Sequence, residues 1–389
     1  MNGRTGLVGI ATTLLLVAGG AAHAQLPADA QLRGAEEHTV ATLPPPDPNR
    51  LYVVDPVFPH LIAAKVYIVD GDKQQVLGML NAGYTPNMAV APGHGELYVA
   101  ETYWSRGTRG TRTDVVTFYD PRTLLPGGEV ILPNGRFLVV TKKQDADLTT
   151  DGRYLLSFNM APRTTVSVVD VKARRYVSEI ETPGCALLFP SGPTRFSSIC
   201  ADGALLTATF DASGKATARR SRPFFDPKAD PIFEHAGFSK SQGRIYFVSY
   251  EGMVHPVDLS GGDPVFGAPW SLLAEADKQE QWRPGGWQVA ALHRDKNRLL
   301  VLMHKGPRWT HKQAGEEVWV FDVAARRRVG KIHLEHHGIS VAVSQDARAK
   351  VYTLSEKQSL SIFELDSGKA LGLMEGFGEF PMVMYVGGE

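Results

Sequence analysis

The sequence predicts an all-β fold, a seven-bladed β-propeller of four-stranded antiparallel blades. Two observations carry this expectation. A strand–turn–strand hairpin is written again and again along the chain, and a separate apolar strand phrase precedes each hairpin, giving seven copies of the pair. Repetition at a period of roughly 40–50 residues with short strands in each unit is the mark of a propeller, whose blades bury their faces only by stacking in a ring.

The hairpin is clearest at residues 65–80, KVYIVDGDKQQVLGML, where an apolar strand, a turn opening on Asp70-Gly71 and a second apolar strand lie close enough to pair. It recurs at 115–132, 165–182, 317–334 and 359–376, with weaker copies at 205–219 and 253–267. Asp70, Asp120, Asp170, Asp258 and Asp322 close the first strand at matching places, and Asp211 and Asp366 come one residue later. An Asp there accepts from backbone N–H groups of the turn and favours a tight reversal. The preceding phrase reads RLYVVD at 50–55, ELYVAET at 96–102, RYLLSFN at 153–159 and RFSSICA at 195–201. It continues as RIYFVSY at 244–250, RLLVLMH at 298–304 and KVYTLS at 350–355. The longest gap between closing aspartates, from Asp258 to Asp322, implies an inserted loop.

Residues 1–24 read as a cleaved secretory signal: Arg4 supplies the positive start, 7–18 is an apolar stretch too short to span a bilayer comfortably, and Ala22-His23-Ala24 has the form of a cleavage site. The alternative is an anchor retained at the N-terminus. Residues 25–48 form a lead-in that contains Pro44-Pro45-Pro46, and 49–389 form the propeller. The product is expected to be soluble and exported, with no membrane insertion. The 41 Lys+Arg and 41 Asp+Glu balance, which argues against nucleic acid or an anionic membrane as partner. Cys185 and Cys200 are the two cysteines; in an oxidising compartment a pair close in sequence is expected to bridge, worth ~3 kcal/mol on the chain-entropy model. That bridge would tie the outer part of one blade to the start of the next phrase. A redox-active pair is the alternative, although C-x-x-C spacing is absent.

Catalytic signatures are missing: no G-x-S-x-G, no P-loop and no G-x-G-x-x-G after a strand. The cluster His333-Leu334-Glu335-His336-His337 matches no zinc spacing and is expected at the end of an outer strand and in the loop after it. No metal site and no catalytic residue is expected on this chain.

Longer strings add a resemblance. YVVDPVFPHL at 52–61, RGTRGTRTDVVTFYD at 106–120, PWSLL at 269–273, WRPGGWQ at 282–288, ALHR at 291–294, WTHK at 309–312 and the Cys185…Cys200 pair around Pro190 stand in the order found in one family. The chain resembles the heavy (large) subunit of the tryptophan tryptophylquinone amine dehydrogenases, which act on methylamine or aromatic amines, over nearly all of its mature length. The resemblance implies a periplasmic heterotetramer of two heavy and two light chains. It implies oxidation of a primary amine to aldehyde and ammonia, with electrons passing to a blue-copper protein or cytochrome c. The quinone is carried by the light chain, so this chain holds no cofactor and is expected to be inactive alone. A heavy-chain Phe that lines the amine channel in the family corresponds to Phe58. The methylamine-type string places it one position later, where this sequence has Pro59, so either Phe58 acts from a shifted position or the channel differs. DPVFPHL leans toward the aromatic type and WRPGGWQ toward the methylamine type.

Further interface candidates come from residue chemistry. Arg106, Arg109 and Arg112 are spaced three apart in a polar, Gly-rich loop, where they either meet carboxylates of the light subunit or stay solvated. Trp282 and Trp287 flank Arg283-Pro284-Gly285-Gly286 and serve either as interface anchors or as wedges between blades. A second reading of the whole chain is an exported scaffold that shares the fold but has no quinone-bearing partner.

Overall fold

The computed structural model describes residues 41–387, and the segment from Thr42 onward is one compact unit. The signal-peptide reading, and the lead-in as far as residue 40, lie outside the described residues.

The repeated grammar is realised strand by strand. Arg50–Asp55 pairs antiparallel with Ala64–Asp70, placing Arg50 opposite Asp70 and Asp55 opposite Lys65. The hairpin then turns back through Gln75–Ala82. The same order joins Leu97–Arg106, Arg109–Tyr119 and Pro126–Ile131, and Tyr154–Asn159, Thr165–Asp170 and Arg175–Glu181. The closing aspartates act as their position requires. Asp70 Oδ1 accepts from the N–H groups of Asp72 and Lys73 at 3.0 and 2.9 Å. Asp120 and Asp322 hold their own turns in the same way.

A fourth, innermost strand had no clear signal in the sequence. It is short and rich in small residues, as at Ala146–Leu148, Gly237–Ser239 and Ala290–His293, and it pairs with the phrase strand on the side away from the hairpin. At the first sheet this place is taken by the C-terminal strand Val383–Val386, with Leu51 opposite Val386 and Val54 opposite Val383. The first and last strands of the described residues are thereby tied into one sheet.

The expectation of seven uniform four-stranded blades is corrected. Hydrogen bonding draws six sheets among the described residues: four of four strands, one of five and one of eight. The large sheet arises because Arg327–Val343 is a single strand of 17 residues. Its first half pairs with Gly315–Asp322 and its second half with Lys350–Ser355. Residues 333–337 were expected to run from the strand end into a loop; they stay extended within this strand instead, with His333 paired to Glu317 and the ladder resuming at Gly338 after a register shift, so the hairpins on either side share one sheet. The five-stranded sheet gains Trp270–Ser271, which pairs with Met253–Asp258. The long gap before Asp322 is therefore not a bare loop. It contains this strand, the short helix Glu275–Gln279 and the strand Trp282–Pro284.

The core lies between neighbouring sheets. Ala89, Tyr98, Val116 and Phe118 of one sheet pack on Leu148, Leu155 and Val169 of the next. Leu187, Phe189 and Leu205 meet Ile245, Phe247 and Val257 in the same manner. Burying each such Leu, Val or Phe contributes about 1.5–3 kcal/mol, and a sheet standing alone would leave one face wet.

Candidate functional site: a loop face and an axial cavity

The order inner strand, phrase strand, hairpin recurs from sheet to sheet, and neighbours are antiparallel. Connections from phrase strand to hairpin therefore fall at one end of the molecule. This face carries the 3-10 turn Phe58–His60, the tip between Arg106 and Arg109, and the turn around Trp309.

Phe58 is 38% exposed and meets Phe380 edge-on, with ring centroids 5.1 Å apart at 81°. Asp55 sets this pair. Its carboxylate is fully buried and accepts from the N–H of Val57 at 2.9 Å and of Glu379 at 2.6 Å. Phe380 N–H also donates to it, at 3.1 and 3.2 Å to the two oxygens. One side chain thus clamps two loops that are remote in sequence. Gly378 allows the approach: it has φ +73°, and a Cβ there would stand 2.6 Å from Asp55 Oδ2. Pro59, the alternative channel position, is exposed beside Phe58.

The arginines lie on a protruding two-stranded arm rather than a loop, because Tyr103–Thr113, Trp104–Arg112 and Arg106–Arg109 continue the strand register outward. Arg106 and Arg109 are exposed at its tip, with no ion pair among the described residues. Arg112 is structural. It pairs with Asp114 at 2.9 Å, donates to the Arg136 carbonyl and lies over the Trp104 and Phe137 rings.

The two tryptophans are placed differently from open anchors. Trp282 is 7% exposed, because its strand pairs with 303–305 and turns the ring onto Trp319 at 5.3 Å. Lys305 and Lys331 cap that ring from 5.1 Å each. Trp287 is half-buried; its N–H donates to the Ile339 carbonyl at 2.6 Å and its carbonyl accepts from His235. Among the described residues the most exposed aromatic of this face is Trp309, 54% exposed, with the Arg308 guanidinium 4.7 Å from its ring centroid. Next to it Tyr250 and His311 stack at 4.0 Å. In the sequence Trp309 stands out only within the string WTHK. The long interval that contains it was the available signal.

Cys185 and Cys200 are bridged. The bond joins directly opposed residues of the inner strand Cys185–Gly192 and the neighbouring Arg195–Cys200, so it staples one sheet internally rather than linking an outer strand to the next repeat. Among the described residues no group of His, Cys, Asp and Glu could hold a metal ion.

A cavity of about 420 Å³ runs along the axis between the inner strands. Its mouth is formed by 91–94, 149–150, 240–241 and Arg294, all turns from inner strand to phrase strand, and so opens opposite the Phe58 face. His235 lies at its deep end, where Nδ1 donates to the Trp287 carbonyl at 2.9 Å and Nε2 accepts from the Lys143 N–H at 3.1 Å. Burial and nearby Lys142 push its pKa down to about 3, so the ring is neutral. Close by, Arg136 is fully buried against the Thr85 carbonyl and Asn87, and burial lowers its pKa to about 10. Burial raises Asp145 to about 7, despite the opposing pull of Lys142 and Arg136.

Two solved structures share the fold at low identity. The dihydro-heme d1 dehydrogenase NirN matches with a TM-score of 0.55 at 15% identity over 87% of this chain and 76% of its own. The Myceliophteria thermophila Cps50 (Swd1) β-propeller domain matches at 0.53 and 12%, over 78% and 90%. These likenesses support a β-propeller fold and nothing finer. Sequence relatives are much nearer. The methylamine dehydrogenase heavy chain of Methylophilus methylotrophus is 32% identical over 93% of this chain and 89% of its own. That of Paracoccus versutus is 34% identical over 90% and 82%. That of Methylorubrum extorquens is 34% identical over 92% and 87%. The family model of the methylamine dehydrogenase heavy chain (MADH) matches residues 47–387, essentially every residue of the described fold. This chain belongs to the methylamine dehydrogenase heavy chain family.

Proposed function

We propose that the chain is the non-catalytic heavy subunit of a periplasmic amine dehydrogenase, assembled as two heavy and two light chains. Family membership across residues 47–387 carries this reading, since a heavy chain by name works beside a light one. Tryptophan tryptophylquinone on the light subunit supplies the electron sink for oxidation of a primary amine to aldehyde and ammonia. Methylamine, named in the relatives, is the first substrate to test. Electrons then leave to a blue-copper protein or cytochrome c.

This chain's residues bind, orient and exclude water. The loop face receives the light subunit, with Arg106 and Arg109 pairing to its carboxylates through charge-assisted hydrogen bonds. Phe58, braced by Phe380 and held by Asp55, forms an apolar wall on the amine's route. The test is reconstitution of the mature chain with the quinone-bearing light subunit. Amine-dependent reduction of an electron acceptor is expected only when both are present. A light subunit that fails to bind, or turnover by this chain alone, would contradict the reading.

A further inference from the structure

The axial cavity has no part in the docking role, because its mouth opens on the face opposite Phe58. Its size falls within the range of small-molecule sites. Small side chains make the space: Ala89, Ala146, Ala290 and Ala291 stand on inner strands where larger ones would fill the axis, and Phe238 and Leu292 extend the apolar wall. The charged groups on the wall are already engaged. Lys240 pairs with Asp147 and donates to the Leu148 carbonyl at 3.1 Å. Arg294 stands 3.7 Å from the Asp295 carboxylate, and the Lys143 ammonium lies 5.5 Å from the Tyr385 ring centroid. His235 is neutral, and its two ring nitrogens are taken by the Trp287 carbonyl and the Lys143 N–H. A charged occupant would lose its hydration and meet only charges that already have partners, so the cavity disfavours ions. One group of the wall is left wanting. Gln144 is 6% exposed, and its amide oxygen accepts no hydrogen bond. A buried acceptor without a donor is costly, and a donor brought in by an occupant removes that cost.

We propose that the axial cavity binds a neutral, largely apolar small molecule that carries a carboxamide. The apolar body packs on the alanine wall, and the amide pairs with the Gln144 side chain, donating to Oε1 and accepting from Nε2. Two amides match donor to acceptor at both atoms; a carboxylate can only accept, and a hydrocarbon does neither. The site is independent of the light subunit and of amine turnover, so its test is separate from theirs.

The experiment is fluorescence titration of the full mature chain with naphthamide, with naphthoate, which has the same shape but a carboxylate in place of the amide, and with naphthalene, which lacks both. The expected result is saturable one-to-one naphthamide binding, with each of the others at least about tenfold weaker, a difference of about 1.4 kcal/mol. Affinity should hold within about twofold between about 50 and 500 mM salt, because no ion pair forms. Gln144→Leu removes the amide and should weaken naphthamide at least about tenfold while leaving naphthalene within about twofold; Ala291→Phe fills the cavity and should weaken both at least about tenfold. Melting curves without ligand identify any variant that has lost its fold, and the other variant then decides. No saturable naphthamide binding, naphthoate binding as tight as naphthamide, or naphthamide affinity unchanged in a folded Gln144→Leu or Ala291→Phe would overturn the proposal.

Discussion

Asp55 and Phe380 are joined across almost the whole sequence: both carboxylate oxygens of the buried aspartate accept from the Phe380 N–H, at 3.1 and 3.2 Å. The same carboxylate holds Val57 and Glu379, so the position of Phe58 on the loop face depends on it. Asp55→Ala leaves three backbone N–H groups without their acceptor. It should destabilise the chain by about 3 kcal/mol, since each orphaned buried donor costs about 1–3 kcal/mol before relaxation. Urea denaturation measures this, and a loss under about 0.5 kcal/mol would show that the clamp is dispensable.

Two buried groups near the axis should pull the pH dependence of stability in opposite directions. His235 is neutral in the fold down to about pH 3 but ordinarily titrates at 6.5, so below 6.5 the unfolded chain binds the extra proton and stability falls as pH falls. Asp145 titrates near 7 in the fold against an ordinary 3.8. Between those values the folded chain holds the extra proton, and stability falls as pH rises. His235→Gln should therefore make the protein more tolerant of acid between pH 6.5 and 4, and Asp145→Asn should steepen its loss there. Denaturation midpoints across this range decide, and parallel profiles for wild type and both variants would count against the assignment.

The Cys185–Cys200 bond closes a loop of 15 residues in sequence. Replacing both cysteines by serine should cost about 3 kcal/mol on the chain-entropy model while keeping the β-sheet circular dichroism signal. A pair of variants without any loss of stability would indicate that the inner-strand register is held by packing alone.

The three arginines should separate by phenotype. Arg112→Ala breaks its pairing with Asp114 and its cover over Trp104, and should lower stability by about 1–2 kcal/mol. Arg106→Ala and Arg109→Ala should leave stability within about 0.5 kcal/mol. On the docking proposal they should weaken association with the light subunit, most at low salt. Surface plasmon resonance at two ionic strengths reads this. Unchanged binding in both would remove the arm from the interface.

Much of this architecture was readable because its determinants are local. A strand phrase, a hairpin and a closing Asp are short patterns, and the turns around Asp70, Asp120 and Asp322 formed as their chemistry requires. The innermost strands were not readable, because segments such as Ala146–Leu148 and Gly237–Ser239 are too short and too small in side chain to show a period. Sheet count failed for a related reason. His333-Leu334-Glu335-His336-His337 stays extended across a register shift, with paired residues before and after it, so two hairpins share one strand. Of the site, Phe58 and the arginine triplet were named from the sequence, but the clamp by Asp55, the division of labour among the arginines and the burial of Trp282 depend on tertiary contacts from distant segments. Trp309 and the axial cavity exist only once the sheets are assembled.

The most direct measurement of the central claim is affinity isolation of this chain from its native cells, with mass spectrometry and a visible spectrum of the product. The account predicts a co-purifying small, cysteine-rich chain whose quinone absorbance bleaches on addition of methylamine. A colourless chain recovered without such a partner would contradict it and leave a scaffold propeller in its place.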